Sequence, residues 1–278
     1  MTDAARKPPL LNIPRSSVSS IARAAEERYG IKADDNDLEK LETHLLKTYG
    51  IISPEILEKV FLSGEAASFL TVNETYFFRE PAHFTLLKEF LPSFEKSGIN
   101  ICSAAVATGC EAYSIAMMIE AYNKLTETPV SYHIDAFDIN PKVIEIAALG
   151  LYGERSLRED GSFYRYLADP YLKKVETARP LTSGQGYLVE PDLRRNIRFF
   201  VHNAMNKLAG NVYDIVFFRN AFIYFTPHSR EQLLGNLSFA LKEGGILFLG
   251  VSETAGVHHA DLEEKNTNDV FYFQKAVK

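Results

Sequence analysis

Several short stretches of this chain place polar side chains where an apolar sequence gives them no structural reason to be. The run Asp214-Ile-Val-Phe-Phe-Arg219-Asn220-Ala221-Phe-Ile-Tyr224-Phe225 reads as a buried strand that ends on Arg-Asn and passes into an aromatic turn. Ligands of open α/β sheets sit just beyond the carboxyl ends of the strands, so Asn220 and Tyr224 stand at a candidate ligand edge. An earlier strand ends in the small-residue run Ser103-Ala-Ala-Val-Ala-Thr-Gly109. Small side chains let a backbone approach a ligand closely, and Gly109 relaxes the turn into the next helix. The run contains neither G-x-G-x-x-G nor G-K-[ST], so phosphate chemistry is not indicated.

Two acids complete the set. Asp138 follows the second strand, just before Asn140-Pro141 opens a helix. An acid there suits hydrogen bonds from two ribose hydroxyls; an ordinary acid at a helix N-terminus is the equal alternative. Glu111 opens the helix after the small-residue loop, either as a carboxylate at a positive helix end or as an anchor for a ribose or amino group. A loop without phosphate chemistry, an acid after the second strand and an Asn after a later one fit an adenosine lacking phosphates. S-adenosylmethionine is the commonest ligand of that description.

The chain's totals narrow the class. With 278 residues, 46% of them hydrophobic, it can bury a sizeable core as one large α/β domain or a smaller one with an appendage. A net charge of −6 argues against a generic nucleic-acid binder. Cys102 and Cys110 lack C-x-x-C spacing and the seven histidines form no ligand-like pair, so no metal is expected. Without a signal peptide or long apolar span, a reduced cytosolic protein is expected, not inserted in a membrane.

The elements that must position these residues come in two grammars. Residues 1–19 carry three prolines and several serines and are expected to form a flexible arm. Helical patterns follow from Ser20 to a stop at Gly30, from Asn36 to Tyr49 with a stop at Gly50, from the capped Ser53-Pro54-Glu55 onward, and over Glu65–Leu70. Nothing in the residue types of this module suggests chemistry. Beyond it, helix 81–90, strand 99–105, helix 111–123, strand 132–138 and helix 141–149 alternate as a parallel sheet requires. Residues 155–195 break the alternation and read as an insertion, with short antiparallel strands at Gly186–Val189 and Ile197–Val201. The sheet resumes with strand 213–219, helix 229–241, a Gly-Gly helix stop at Gly244 and Gly245, and strands 246–251 and 270–275.

Thr71-Val-Asn73-Glu-Thr75-Tyr-Phe-Phe78-Arg79-Glu80-Pro81 joins the two parts. It resembles the N-E-T-x-F-F-R-[DE] signature of the chemotaxis receptor methyltransferase family (CheR). Arg219-Asn-Ala-Phe-Ile-Tyr-Phe225 resembles that family's C-R-N-x-x-I-Y-F, and Gly250-Val-Ser-Glu-Thr254 its G-x-S-E-T ending. The resemblance continues through Asp138-Ile139, Gln185-Gly-Tyr-Leu and the helical front end, and so covers nearly the whole chain.

The resemblance implies a Rossmann-like class I methyltransferase sheet at 71–278, with a β-subdomain inserted at about 155–200. A flexible arm and a small all-helical domain would fill 1–70. It implies methyl transfer from S-adenosylmethionine, leaving S-adenosyl-L-homocysteine, to glutamate carboxylates on chemoreceptor cytoplasmic helices, by a monomer. Asn73, Thr75 and Arg79 would line the cofactor's methionine end, and Ala105 would sit in the small-residue loop. Glu111 would hold polar cofactor groups, Asp138 the ribose hydroxyls, and Asn203 and Ala204 the adenine side. Asn220 and Ala221 would flank the sulfonium, while Arg79 and Tyr224 orient the acceptor carboxylate.

Two departures matter. The family's S-T-G-E-E-P-Y-S loop is here Ala107-Thr-Gly-Cys110-Glu111-Ala112-Tyr-Ser114. Cys110 could be a reactive thiol at a helix N-terminus or an inert small residue. The family's second helix meets acidic receptors through an Arg-rich face, whereas residues 31–50 carry three lysines against five carboxylates, a net of −2. Such a surface steers an acidic helix poorly, which leaves open another glutamate-bearing protein as acceptor. A relative that keeps the pocket as a cofactor-sensing or scaffolding module is the alternative from another class.

Overall fold

The computed structural model describes residues 15–158, 165–177 and 184–277. The first fourteen residues of the expected arm lie outside them. Four helices come first: α1 (Arg15–Tyr29), α2 (Asp35–Tyr49), α3 (Pro54–Leu62) and α4 (Ala67–Leu70). Their boundaries follow local chemistry. Asp34 caps α2 by accepting the Asp37 N–H, Gly50 closes it at φ 73°, and Ser53 caps α3 just before Pro54. Leu38, Leu41 and Leu45 share one face of α2 and pack on Ile21, Ala25, Val60 and Phe61 in a core of their own. α1 begins earlier than the Ser20 expected, and its first residues include the end of the expected arm.

The sheet part runs α5 (Pro81–Phe90), β1 (Ile99–Ala104), α6 (Cys110–Asn123), β2 (Tyr132–Asp138) and α7 (Pro141–Leu149). β3 (Leu151–Tyr152), α8 (Arg165–Ala168), β4 (Leu172–Thr177), β5 (Gly184–Val189), α9 (Pro191–Arg194) and β6 (Ile197–Val201) follow. The chain then completes the sheet with β7 (Tyr213–Phe218), α10 (Pro227–Ala240), β8 (Leu241–Leu249), β9 (Leu262–Thr267) and β10 (Val270–Lys275). Seven strands lie in the order β6-β2-β1-β7-β8-β10-β9, parallel from β6 to β8, with β10 antiparallel to both its neighbours. This is the expected α/β class with a Rossmann-like sheet. β1 leads outward to β2 and β6, and β7 restarts on its other side, so the topological switch point lies between β1 and β7.

Helices on both faces make the central strands mainly apolar. Ile215 and Phe217 of β7 enter one core with Phe84, Tyr113 and Phe248, while Val216 and Phe218 enter the other with Phe137 and Leu237. Among the described residues, no helix is long and apolar enough to cross a membrane.

Two expectations need correcting. Ile197–Val201 is not part of an antiparallel insertion but the parallel edge strand β6 of the main sheet, registered on β2 from Ile134↔Ile197 to Asp138↔Val201. Only Ile197 of its five residues is buried, so its burial lacks the pattern of an inner strand. β5 does form a small antiparallel sheet, but its partners are β3 and β4. Gly244 and Gly245 do not stop α10, which ends at Ala240; they lie within β8, where the register against β7 shifts between Tyr213 and Ile215. A Cβ on Gly245 would stand 2.8 Å from the Lys242 carbonyl and 3.1 Å from that of Asp214, so the irregularity demands glycine there.

Candidate functional site

The carboxyl ends of β1, β2, β6 and β7 border one cleft, closed from the front by the 71–80 segment and the α1–α2 junction. Its floor is the loop after β1. Ala105 and Ala107 both take left-handed backbone conformations, at φ 57° and 50°. That costs on the order of 1–3 kcal/mol per residue and persists only where surrounding bonds impose it. Here Val106 N–H donates to the Phe137 carbonyl at 2.9 Å, and Ala107 N–H to Asp138 Oδ2 at 2.9 Å. Asp138 Oδ1 accepts the Asn140 N–H at 2.9 Å. Asp138 thus lines the cleft and also braces its floor, and burial pushes its carboxyl upward against these backbone donors. Gly109, at φ 92°, lets the chain enter α6: a Cβ there would stand 2.8 Å from that of Ala147. Cys110 is buried, and burial pushes its thiol up to about 12, so the reactive-thiol reading fails.

Behind the floor stands Arg219, its side chain 1% exposed. Nη1 donates to Glu111 Oε2 at 3.1 Å; Nη2 donates to Glu80 Oε2 at 2.9 Å and to the Arg79 carbonyl; the guanidinium lies 5.5 Å over the Phe84 ring. Its Nε is buried with no hydrogen-bond partner. Glu111 Oε1 accepts from Ser103 Oγ at 2.7 Å, so both carboxylate oxygens are engaged inside the protein as the side chain borders the cleft. Glu80 Oε1 accepts from Asn220 Nδ2 at 2.8 Å, which ties the 71–80 segment to the end of β7. Burial pushes Glu80 upward, but His83, at a long 3.5 Å, and the adjacent Arg219 and Asn220 outweigh it and hold the carboxyl well below the usual range. Glu111, more deeply buried, is raised despite Arg219.

At the mouth, Arg79 is half-buried, donates from Nη1 to the Glu74 carbonyl at 2.8 Å, and lies 5.8 Å from the centre of the Tyr76 ring. Tyr224 lines the same cleft and is half-buried; burial raises its phenol, and the positive charge of Arg79 opposes the rise. Asn73 is held to Thr71 through its side-chain amide at 3.4 Å. The front module docks on the same elements. Lys32 N–H donates to the Tyr224 carbonyl at 2.9 Å, Ile31 bridges to Phe225, and Asn203 Nδ2 donates to the Arg28 carbonyl at 2.6 Å.

Every residue expected at a site, from Asn73, Thr75 and Arg79 through Ala105, Glu111 and Asp138 to Asn203, Ala204, Asn220, Ala221 and Tyr224, lines this one cleft. Its empty volume is about 960 Å³ with the open mouth included. Tyr29, Ile31, Phe137 and His202 line it too and were missed. His202 could have been found from its neighbour Asn203. Tyr29 and Ile31 belong to a module whose residue types carry no chemical signal.

Comparison with known proteins agrees with this geometry. The family model for the CheR methyltransferase, SAM binding domain, matches residues 73–271. A chemotaxis protein methyltransferase of Listeria monocytogenes is 29% identical over 231 residues, 82% of each chain. One of Borreliella burgdorferi is 28% identical over 266 residues, covering 88% of this chain and 90% of its own. One of Vibrio parahaemolyticus is 32% identical over 200 residues, covering 68% and 67%. The family match spans the strand ends and loops that build the cleft, and this chain belongs to the CheR methyltransferase family, with S-adenosylmethionine as its cofactor.

Proposed function

We propose that this protein transfers a methyl group from S-adenosylmethionine to glutamate side chains of a chemoreceptor-like protein, forming methyl esters. The observation that carries the reading is that Arg79 and Tyr224 line one cleft with Ala105 and Asp138, the charge of Arg79 acting on the Tyr224 phenol. The division into an arm and helical domain at 1–70 and a cofactor domain at 71–278 belongs to the same reading.

The residues present fit the cofactor. Left-handed alanines at Ala105 and Ala107 bare the floor's backbone, Arg219 keeps a buried, unpartnered Nε–H beside the cleft, and the run Ser103–Gly109 has no phosphate-loop sequence. Asn73, Thr75 and Arg79 would hold its methionine end, Ala105 and Glu111 its middle, and Asp138 its ribose. Asn203 and Ala204 would meet the adenine, Asn220 and Ala221 the sulfur. When bound, the cofactor supplies an electrophilic methyl on a positively charged sulfur.

A glutamate is already ionised near neutral pH, so the acceptor needs no strong general base. What the chain supplies is position. Arg79 can grip one carboxylate through two parallel hydrogen bonds, and the Tyr224 hydroxyl can add a third. The grip must stay moderate, because excess ground-state stabilisation of the carboxylate slows transfer. Cys110 and Ala112, where the sequence departs from the family loop, are buried and absent from the cleft lining. The departure therefore does not favour a non-enzymatic cofactor-binding module.

The curated relatives are named chemotaxis protein methyltransferases, which supports chemoreceptor cytoplasmic helices as acceptor and action from the cytosol. The acidic α2 favours a second reading for the acceptor alone: a different glutamate-bearing protein. The test is incubation with methyl-labelled cofactor and receptor cytoplasmic fragments, followed by base-labile methanol release. Arg79→Ala is expected to lose at least about a hundredfold in transfer, the loss of about 3 kcal/mol of positioning, with a much smaller loss of S-adenosylhomocysteine affinity by calorimetry. Cofactor affinity lost in parallel with transfer would reject the role given to Arg79.

A further inference from the structure

The turn that carries Asn220 and Tyr224 is short, and its backbone is not held by regular structure. Asn220 is left-handed at φ 58°, a conformation that non-glycine residues keep only when bonds around them enforce it. A 3-10 turn, Phe222–Tyr224, follows. A carboxylate from the end of the neighbouring strand enforces its backbone, while Glu80 holds the Asn220 side chain and Arg230 the Phe222 and Ile223 carbonyls. Glu253 is 4% exposed and sits just after β8. Its Oε2 accepts the Asn220 N–H at 2.7 Å and the Gly250 N–H at 2.9 Å, and its Oε1 accepts the Ile223 N–H at 3.1 Å. The close fit forbids a side chain at Gly250, where a Cβ would stand 2.6 Å from Glu253 Oε2 and 2.9 Å from Asn220 Nδ2.

We infer that Glu253 is a positioning residue for methyl transfer: it sets the turn that aims Tyr224 at the acceptor and Asn220 at the cofactor. The inference rests on the role proposed above for Tyr224. Glu253 is not aimed at substrate, since its oxygens are taken by three backbone donors and it does not line the cleft. Two features make a carboxylate the needed group. Only an acceptor on both branches can serve donors on both sides; a glutamine would turn an NH2 group toward at least one buried N–H. The negative charge also strengthens each bond from a neutral amide. The far end of the turn is fixed separately, by the Lys32 N–H on the Tyr224 carbonyl at 2.9 Å, so its loss at Glu253 should shift the turn without releasing it.

The test is a double-mutant cycle on kcat in the full-length chain, built from Glu253→Gln and Tyr224→Phe, with Glu253→Asp as a second variant should the first fold poorly. Circular dichroism and thermal melts confirm that each variant is folded, and S-adenosylhomocysteine affinity is measured by calorimetry. If Glu253 acts through Tyr224, each single change lowers kcat about tenfold or more and the double variant is little worse than the poorer single. Multiplicative losses in folded variants would show that Glu253 merely stabilises, and would overturn the inference. A kcat unchanged in folded Glu253→Gln would overturn it too. Should Tyr224→Phe alone leave transfer intact, it is the proposed role of Tyr224 that fails, and the cycle separates that outcome from the others.

Discussion

At the scale of single residues, the site is a lattice of charges whose members face inward. Arg219 binds Glu80 and Glu111, and Glu80 in turn holds Asn220 and the Val251 N–H at 3.2 Å. Removing one member of a buried pair leaves the other unpaired, at a cost of about 3 kcal/mol or more. Because Arg219 keeps Glu111, Glu80→Gln is expected to lower stability by less than that full cost, about 1–3 kcal/mol at neutral pH in denaturant melts. The pH dependence has a definite sign. The folded carboxyl of Glu80 is held below its unfolded value, so its contribution is complete above the unfolded value and is lost as pH falls through the folded one. The gap between Glu80→Gln and the parent should be full at about pH 6–7 and shrink steadily below about pH 4. A gap that does not change over that range would show that Glu80 acts by shape alone. The sequence disclosed the residue types of this lattice but not their pairing. Glu111 looked free to touch a ligand; only the fold shows both its oxygens engaged by Ser103 and Arg219.

Elements were legible where their period was strong and where a cap announced the end. The leucines of α2, Ser53-Pro54 at α3 and the unbroken apolar run of β7 all read correctly. β6 did not, because an edge strand has one open flank and only its first residue is fully buried. What fixes its place lies in other strands. Arg198 of β6 makes two 2.8 Å bonds to Asp135 of β2, and Tyr213 of β7 adds a third at 2.8 Å to the same carboxylate. Pairing across that distance leaves no trace in local pattern. Arg198 is 63% exposed and Asp135 only 7%, so solvent screens the pair and its net contribution is about 1 kcal/mol or less. Arg198→Ala should cost about that much, and amide exchange in Ile197–Val201 should speed up before that in β1 or β7. Uniform acceleration across the sheet would mean that β6 opens only with the whole molecule. Asn203 and Ala204, proposed above to meet the adenine, hang from this strand, so a loosened edge should also weaken cofactor binding modestly.

The whole molecule brings a module with no chemical residues to the mouth of the site. Tyr29 and Ile31 enter the cleft because the α1–α2 junction bonds to the Tyr224 turn and to Asn203. The same docking places the acidic start of α2 beside the acceptor's approach, and the charge of Asp37 is felt at Tyr224. With a net of −2 over residues 31–50 and −6 over the chain, long-range forces repel an acidic helix before contact. Exposed charges farther apart than about 8–10 Å are screened at physiological salt, so the repulsion should be visible only at low salt. For an acidic receptor fragment, kcat/KM should accordingly rise as ionic strength is raised from about 20 to 150 mM. The exposed Glu39 offers a local check: Glu39→Lys should raise kcat/KM about two- to fivefold at low salt, with kcat and cofactor affinity unchanged. A rate that falls with salt would mean that opposite charges guide the encounter from another face. A basic acceptor that falls with salt where the acidic one rises would identify the preferred partner as a glutamate set among lysines and arginines. That outcome would leave intact the transfer chemistry proposed for Arg79 and Tyr224 and move the protein's specificity to the surface of α2.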